Sequence, residues 1–110
     1  MVATGVEVDS VVRSIVQQLE PEIPVSRIIL FGSYASGQPK KWSDIDVAVV
    51  SLAFSGVPIW RRQELLAERL TAADVRLSPL GYSPEDLAKP HSFLREIIRT
   101  GRVVYEAPAE

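Results

Sequence analysis

Two short stretches of the sequence carry the residue types that a phosphate-handling site needs. Gly32 and Gly37 enclose a polar loop that begins with Ser33, and an Asp-x-Asp pair, Asp44 and Asp46, follows shortly after it. Glycine has no Cβ and can take positive φ, so main-chain N–H groups beside it can turn toward an anion. Paired carboxylates can hold a divalent cation, and Mg²⁺ suits them because it takes one or two carboxylates together with water and phosphate oxygens. Together the two stretches predict a site for a metal ion and a phosphate group.

Sequence typical of β-strands surrounds both stretches. Residues 25–31 form a β-branched and aromatic run, which predicts a strand that ends where the glycine loop begins. Residues 44–50 form a second such run. Because side chains alternate across a strand, Asp44 and Asp46 are expected on one face and the intervening Ile45 on the other. Two carboxylates placed side by side repel, so one of them resists ionising unless a cation lies between them.

The loop and the connection after it offer further donors to an anion. Ser33 is predicted to cap a short helix over residues 34–36, whose amino end would favour negative charge. Lys40 and Lys41 either contact phosphate oxygens or are simply solvated, and both interpretations stay open. Gly32, Ser33, Lys40 and Lys41 are therefore the candidate phosphate-binding residues.

The spacing of these residues resembles that of a known family. Gly32-Ser33, a spacer and the run Ser-Asp-Ile-Asp at 43–46 are similar to the nucleotidyltransferase signature of the DNA polymerase β superfamily. The likeness is in particular to its minimal stand-alone members, called MNT domains, which are commonly encoded beside a HEPN-domain protein as its antitoxin. The resemblance implies an α/β (α+β) fold, in which a small mixed β-sheet is flanked by helices.

The resemblance also implies a set of site residues and an activity. It makes Gly32, Ser33, Lys40 and Lys41 the expected nucleotide-binding residues. The family has a third carboxylate on a strand beside the Asp-x-Asp strand, and Asp74 is in position to be it here. Asp44, Asp46 and Asp74 are therefore expected to be catalytic and to hold two Mg²⁺ ions. The expected reaction is transfer of AMP from ATP to a hydroxyl group of a HEPN-type partner protein, with which the chain would form a hetero-oligomer.

One departure from the family pattern keeps a second interpretation open. Many members carry arginine within the Gly-Ser loop, where this chain has Tyr34 and Ser36. Arginine binds phosphate through two parallel hydrogen bonds, which serine cannot form. We therefore expect weak triphosphate affinity unless Lys40, Lys41 or a cation of the partner takes the place of the arginine. The alternative is a non-catalytic binding module that neutralises its partner sterically. A sugar transferase that uses Asp-x-Asp for a nucleotide sugar is a third, less favoured interpretation, because the chain is short for two ligand pockets.

The remaining sequence predicts the elements that would position this site. Residues 8–19 carry apolar side chains at spacings of three and four, and they predict an amphipathic helix that ends before Pro21. A helix is predicted over residues 58–70, with Arg61 and Arg62 either on a solvated face, which is favoured, or in contact with a partner or an anion. Further expected elements are a strand at 73–77, a short helix that starts at a Ser83 cap, a helix that ends at Gly101, and an extended segment at 103–105.

Composition narrows the class of protein. The 110 residues are 46% hydrophobic and 24% charged, which is ordinary for a globular protein, and we expect a single domain, 1–110. The net charge of −2 argues against sequence-independent nucleic-acid binding, which usually requires a basic excess. No cysteine is present, so disulfides and thiolate metal sites are excluded. The sequence shows neither an apolar run of membrane-spanning length nor a signal-peptide pattern, so a reducing cytoplasm is the expected location.

Overall fold

Four strands and five α-helices make up the part of the chain that the computed structural model describes, residues 5–39, 44–70 and 77–108. In chain order they are α1 (Gly5–Leu19), β1 (Arg27–Phe31), α2 (Ser33–Ser36), β2 (Ile45–Val50), α3 (Ile59–Arg69), β3 (Leu77–Tyr82), α4 (Pro84–Ala88), α5 (Ser92–Thr100) and β4 (Arg102–Glu106). A 3₁₀ helix, Leu52–Phe54, follows β2. Within the described residues, no helix combines the length and the apolar character that crossing a bilayer requires.

The strands form one mixed sheet in the order β3-β2-β1-β4. β1 is antiparallel to both β2 and β4, whereas β2 and β3 run parallel. Two parallel neighbours require a crossover connection, and α3 lies in the connection between β2 and β3. The predicted fold class, a small mixed sheet flanked by helices, is therefore confirmed.

Side chains of the central strands alternate between two apolar clusters, one on each face of the sheet. Ile28 and Leu30 of β1 are buried in the larger cluster, to which α1 and α3 also contribute. Ile29 lies on the opposite face, in a smaller cluster with Leu94 and Ile97 of α5. The alternation follows from strand geometry, in which successive side chains point to opposite faces. Helices therefore cover both faces of the sheet.

Several predicted elements are present, with ends that differ from the predicted ones by at most three residues. The helix predicted over residues 8–19 is α1, which ends at Leu19. The helix predicted over 58–70 is α3, and the helix predicted to end at Gly101 is α5. The extended segment at 103–105 belongs to β4, which pairs with β1. The pattern thus identified the elements, and the structure adds that the last one is part of the sheet.

The third strand extends further along the chain than the sequence indicates. A strand is predicted at 73–77, but apart from Leu77 that segment lies outside the described residues, and β3 continues to Tyr82. Pro79 and Gly81 disfavour a strand interior, so sequence analysis ends the strand too early. Both are accommodated at the outer edge of β3, where the side chain of Gln63 donates to the Pro79 carbonyl at 2.8 Å and accepts from the Gly81 N–H at 3.1 Å.

The favoured expectation that Arg62 is solvated is wrong. Its side chain is only 8% exposed. Its Nε donates to the Val57 carbonyl at 2.7 Å, and its Nη1 donates to the Gly81 carbonyl at 3.2 Å and to Asp86 Oδ2 at 2.6 Å. Position 62 lies one helical turn before the buried Leu66, so the side chain points inward, where its charge requires these partners. Arg62 therefore links α3 to β3 and α4 through hydrogen bonds and an ion pair.

Candidate active site

Gly32 forms the turn between β1 and the short helix α2. Its φ of 73° and ψ of −152° lie in a region that residues with a Cβ rarely adopt. The Gly32 carbonyl accepts hydrogen bonds from the N–H groups of Ala35 and Ser36, both at 3.1 Å. Gly37, with a φ of 79°, closes α2 at its other end. Two glycines with positive φ therefore bound the predicted loop.

Ser33 does not have the capping role that the sequence predicts. Gly32 occupies the N-cap position of α2, and among the described residues no side chain caps that end of the helix. Ser33 is already the first helical residue, so the predicted cap is wrong by one position. Ser33 directly follows the glycine turn. Its role in phosphate binding stays a prediction.

The carboxylate of Asp46 lies directly against Gly32. A Cβ added to Gly32 would be 2.2 Å from Asp46 Oδ2 and 3.2 Å from Asp46 Cγ, which is much closer than van der Waals contact. The register of the sheet explains this approach, because Asp46 of β2 is the antiparallel partner of Phe31, the residue before Gly32. The structure therefore brings the glycine turn and the acidic pair together in space.

The electrostatics of the acidic pair follow from burial and from like charge. Asp44 and Asp46 are separated by the buried Ile45 at the start of β2. Burial raises the pKa of Asp46 above its ordinary value, and the negative charge of Asp44 raises it further. A hydrogen bond from the Ser78 hydroxyl partly offsets this rise. Sequence analysis missed Ser78, because this serine lies opposite Asp46 only through the parallel register of β2 and β3.

The side chains of this pair fit a divalent cation. Carboxylate oxygens are the ligands that Mg²⁺ prefers, and a cation between Asp44 and Asp46 would relieve the repulsion that raises the pKa of Asp46. Asp74, Lys40 and Lys41 lie outside the described residues, and within those residues no group of three potential metal ligands comes together. The metal ions and their third ligand therefore stay predictions.

Replacing Gly32 with alanine should disturb the site more than the same change at Gly37. Gly37 lies in the left-handed helical region, where an alanine introduces backbone strain of about 1–2 kcal/mol. Gly32 has a backbone conformation that is essentially restricted to glycine, where the strain is about 1–3 kcal/mol. At Gly32 the new Cβ would also collide with Asp46, whereas no described atom lies within 4 Å of a Cβ at Gly37. We expect Gly32→Ala to abolish Mg²⁺-dependent ATP binding and Gly37→Ala to retain it, as measured by equilibrium titration. Equal ATP affinities of the two variants would contradict the importance of the contact between Gly32 and Asp46.

Comparison with known families and structures defines the class of protein. The family model described as "Nucleotidyltransferase domain" matches residues 10–104. The chain belongs to this nucleotidyltransferase domain family. No curated protein sequence matches the chain.

Solved structures with the same fold include nucleotidyltransferase and toxin–antitoxin proteins. A candidate nucleotidyltransferase from Sulfolobus solfataricus has a TM-score of 0.63 at 12% identity, over 90% of this chain and 77% of that one. A toxin–antitoxin with AMP-PNP has a TM-score of 0.56 at 22% identity. A mutant of the toxin–antitoxin MntA-HpeT, in which two aspartates two positions apart are replaced by glutamate, has a TM-score of 0.57 at 19% identity. Both toxin–antitoxin alignments cover 90% of this chain and 73% of the other. At these identities the likeness shows the fold alone.

Proposed function

We propose that this chain is a metal-dependent nucleotidyltransferase that transfers AMP from ATP to a hydroxyl group of a partner protein, as the antitoxin of a HEPN-type toxin. The observation that carries the proposal is the contact between the Asp46 carboxylate and Gly32. This contact places an acidic pair against a turn whose main-chain N–H groups can bind phosphate. Membership of the nucleotidyltransferase domain family supports the reaction class. The toxin–antitoxin structures, one of them with AMP-PNP, support the nucleotide and a protein partner.

The groups of the chain would have separate roles in the transfer. Asp44 and Asp46 would hold Mg²⁺, which when bound neutralises phosphate charge and lowers the pKa of a hydroxyl that it contacts. Main-chain N–H groups that follow Gly32, together with the Ser33 hydroxyl, would donate to the β- and γ-phosphates. Asp74 would accept the proton of the acceptor hydroxyl. Lys40 and Lys41, in the connection between α2 and β2, would add positive charge near the triphosphate.

The proposed reaction is a single displacement at the α-phosphorus of ATP. The acceptor oxygen forms a bond to the α-phosphorus while the bond from that phosphorus to the oxygen shared with the β-phosphate breaks. Pyrophosphate leaves with the electron pair of the broken bond, and the hydroxyl proton passes to the carboxylate of Asp74. The partner protein keeps the AMP group as a phosphodiester. Charge therefore develops on the pyrophosphate oxygens, which is where the donors beside Gly32 would act.

The mass of the partner protein tests this proposal. The chain would be co-expressed with the product of the adjacent reading frame, and the purified complex would be incubated with Mg²⁺ and ATP. We expect the partner to gain the mass of one or more AMP units. The same incubation with α,β-methylene-ATP should leave the mass unchanged, because a carbon replaces the bridging oxygen whose bond to the α-phosphorus must break.

One observation favours a second function, that of a non-catalytic module that neutralises its partner sterically. Residues 32–39 contain neither lysine nor arginine, so the glycine turn and α2 carry no cationic side chain for a triphosphate. A stable complex that blocks the toxin, with no gain of mass on the partner in Mg²⁺ and ATP, would support this function and reject catalysis.

A further inference from the structure

An exposed phenylalanine stands beside the candidate active site. Phe93 near the start of α5 is 53% exposed, and its ring meets the ring of Phe31 edge to face, with the centroids 6.2 Å apart and an interplanar angle of 86°. Phe31 is the antiparallel partner of Asp46. Directly opposite residues of such a pair have Cα atoms about 5 Å apart and side chains on the same face of the sheet. The aromatic pair therefore borders the Asp46 carboxylate on the face that α5 covers.

The structure of α5 holds Phe93 in place. His91 caps this helix by accepting a hydrogen bond at Nδ1 from the Leu94 N–H, at 3.2 Å. Leu94 and Ile97 anchor the helix in the smaller apolar cluster, with 0% and 2% of their surfaces exposed. The Phe93 ring thus stands on an anchored helix while half of its surface is in water. A ring positioned in this way binds a planar ligand with little further loss of conformational entropy.

We propose that Phe93, supported by Phe31, stacks on the base of the nucleotide whose phosphates bind at Gly32 and Asp46. This inference rests on the proposed function. A nucleotide whose phosphates bind beside the glycine turn and the acidic pair carries its sugar and base to the rim of that site, where the aromatic pair is an apolar surface beside the carboxylates. Stacking on an aromatic face contributes affinity for any base without reading its hydrogen-bonding groups. The site would therefore discriminate weakly between bases.

Titrations with ATP and with inorganic tripolyphosphate, both in Mg²⁺, separate binding of the base from binding of the phosphates. We expect Phe93→Ala to weaken ATP binding roughly 5- to 150-fold and to leave tripolyphosphate binding unchanged. Phe93→Trp keeps an aromatic face and should bind ATP at least as tightly as the wild type. Ile98→Ala, at another exposed apolar position of α5 that is 43% exposed, is the control and should leave both affinities unchanged.

Each other outcome has a distinct meaning. If Phe93→Ala binds ATP as tightly as the wild type, the inference is overturned while the proposed function stands, and weaker binding of the partner by that variant would assign Phe93 to the protein interface. Equal losses for ATP and tripolyphosphate would also overturn it, because Phe93 would then support the whole site rather than the base. A wild-type chain that binds neither ligand would overturn the proposed function together with the inference.

Discussion

Asp46→Asn is expected to lower the rate of AMP transfer by at least about 10²-fold, because it removes a ligand of the Mg²⁺ that would neutralise the reacting phosphate, and loss of a single such stabilising contact costs about that much. Asparagine has nearly the shape of aspartate and can still accept a hydrogen bond from Ser78, but it brings no negative charge to a metal ion. The measurement is the rate at which the purified partner gains AMP in Mg²⁺ and ATP.

The same substitution should leave the fold intact. Burial and the charge of Asp44 raise the pKa of Asp46, so the ionised carboxylate is disfavoured in the folded chain, and a neutral side chain should leave the free energy of unfolding at neutral pH equal or higher. Asp9→Asn is a matched control, because Asp9 lies exposed on α1 and should affect neither transfer nor stability. Wild-type transfer by Asp46→Asn would show that the acidic pair is not the catalytic site.

Arg62→Ala should reduce the free energy of unfolding by about 3 kcal/mol. Removing one partner of a buried ion pair usually costs about 3–5 kcal/mol, because the remaining charge is left buried. Here the Asp86 side chain is 34% exposed, so water can partly solvate its charge once Arg62 is removed. We therefore expect the lower end of that range. The two carbonyl groups to which Arg62 donates, those of Val57 and Gly81, would also lose a partner. Urea denaturation monitored by circular dichroism measures the change.

The neighbouring arginine provides the control for this prediction. Arg61 is 43% exposed and pairs with the exposed Glu64 at 3.0 Å, and such ion pairs contribute about 0–1 kcal/mol. Arg62→Lys should not restore stability, because an ammonium group cannot reproduce the planar set of donors that reaches Val57, Gly81 and Asp86 together. Similar unfolding midpoints for Arg61→Ala and Arg62→Ala would refute the structural role of Arg62.

The ion pair between Arg62 and Asp86 should also make stability depend on acidic pH. Burial alone would raise the pKa of Asp86, but hydrogen bonds from the Ser83 N–H and from Arg62, with the charge of Arg62, outweigh it and lower the pKa. Because the pKa of Asp86 is lower in the folded chain, its ionised carboxylate stabilises the fold at pH values above the unfolded-state pKa of about 3.9. This stabilisation is lost as the pH falls below that value and through the folded-state pKa. This acid-dependent loss should be smaller in the Arg62→Ala variant.

The acidic pair was predictable from the sequence because strand alternation is a local rule. Asp44 and Asp46 flank an apolar residue at the start of a β-branched run, and the glycine turn follows a second such run, so the two halves of the site could be recognised separately. The contact between the glycine turn and Asp46 depends on which residue of β1 pairs with Asp46. Neither segment alone determines this register between β1 and β2. Ser78 was missed for the same reason.

Two other features were misjudged because tertiary contacts override local preference. Pro79 and Gly81 are poor strand residues, yet both are accommodated in β3 because the side chain of Gln63 bonds to the outer edge of that strand. Arg62 has the charge of a surface residue, yet it lies on the inner side of α3 because α4 supplies Asp86 as a partner. Neither partner could be named before the packing of the helices was known.

The most direct test of nucleotidyl transfer uses ATP labelled at either the α- or the γ-phosphate, added with Mg²⁺ to the complex of the chain and its partner. We predict that the partner becomes labelled from the α-phosphate only and that the γ-label is released in pyrophosphate. Label from the γ-phosphate on the partner, or no label from either position, would contradict a nucleotidyltransferase site built on Gly32, Asp44 and Asp46.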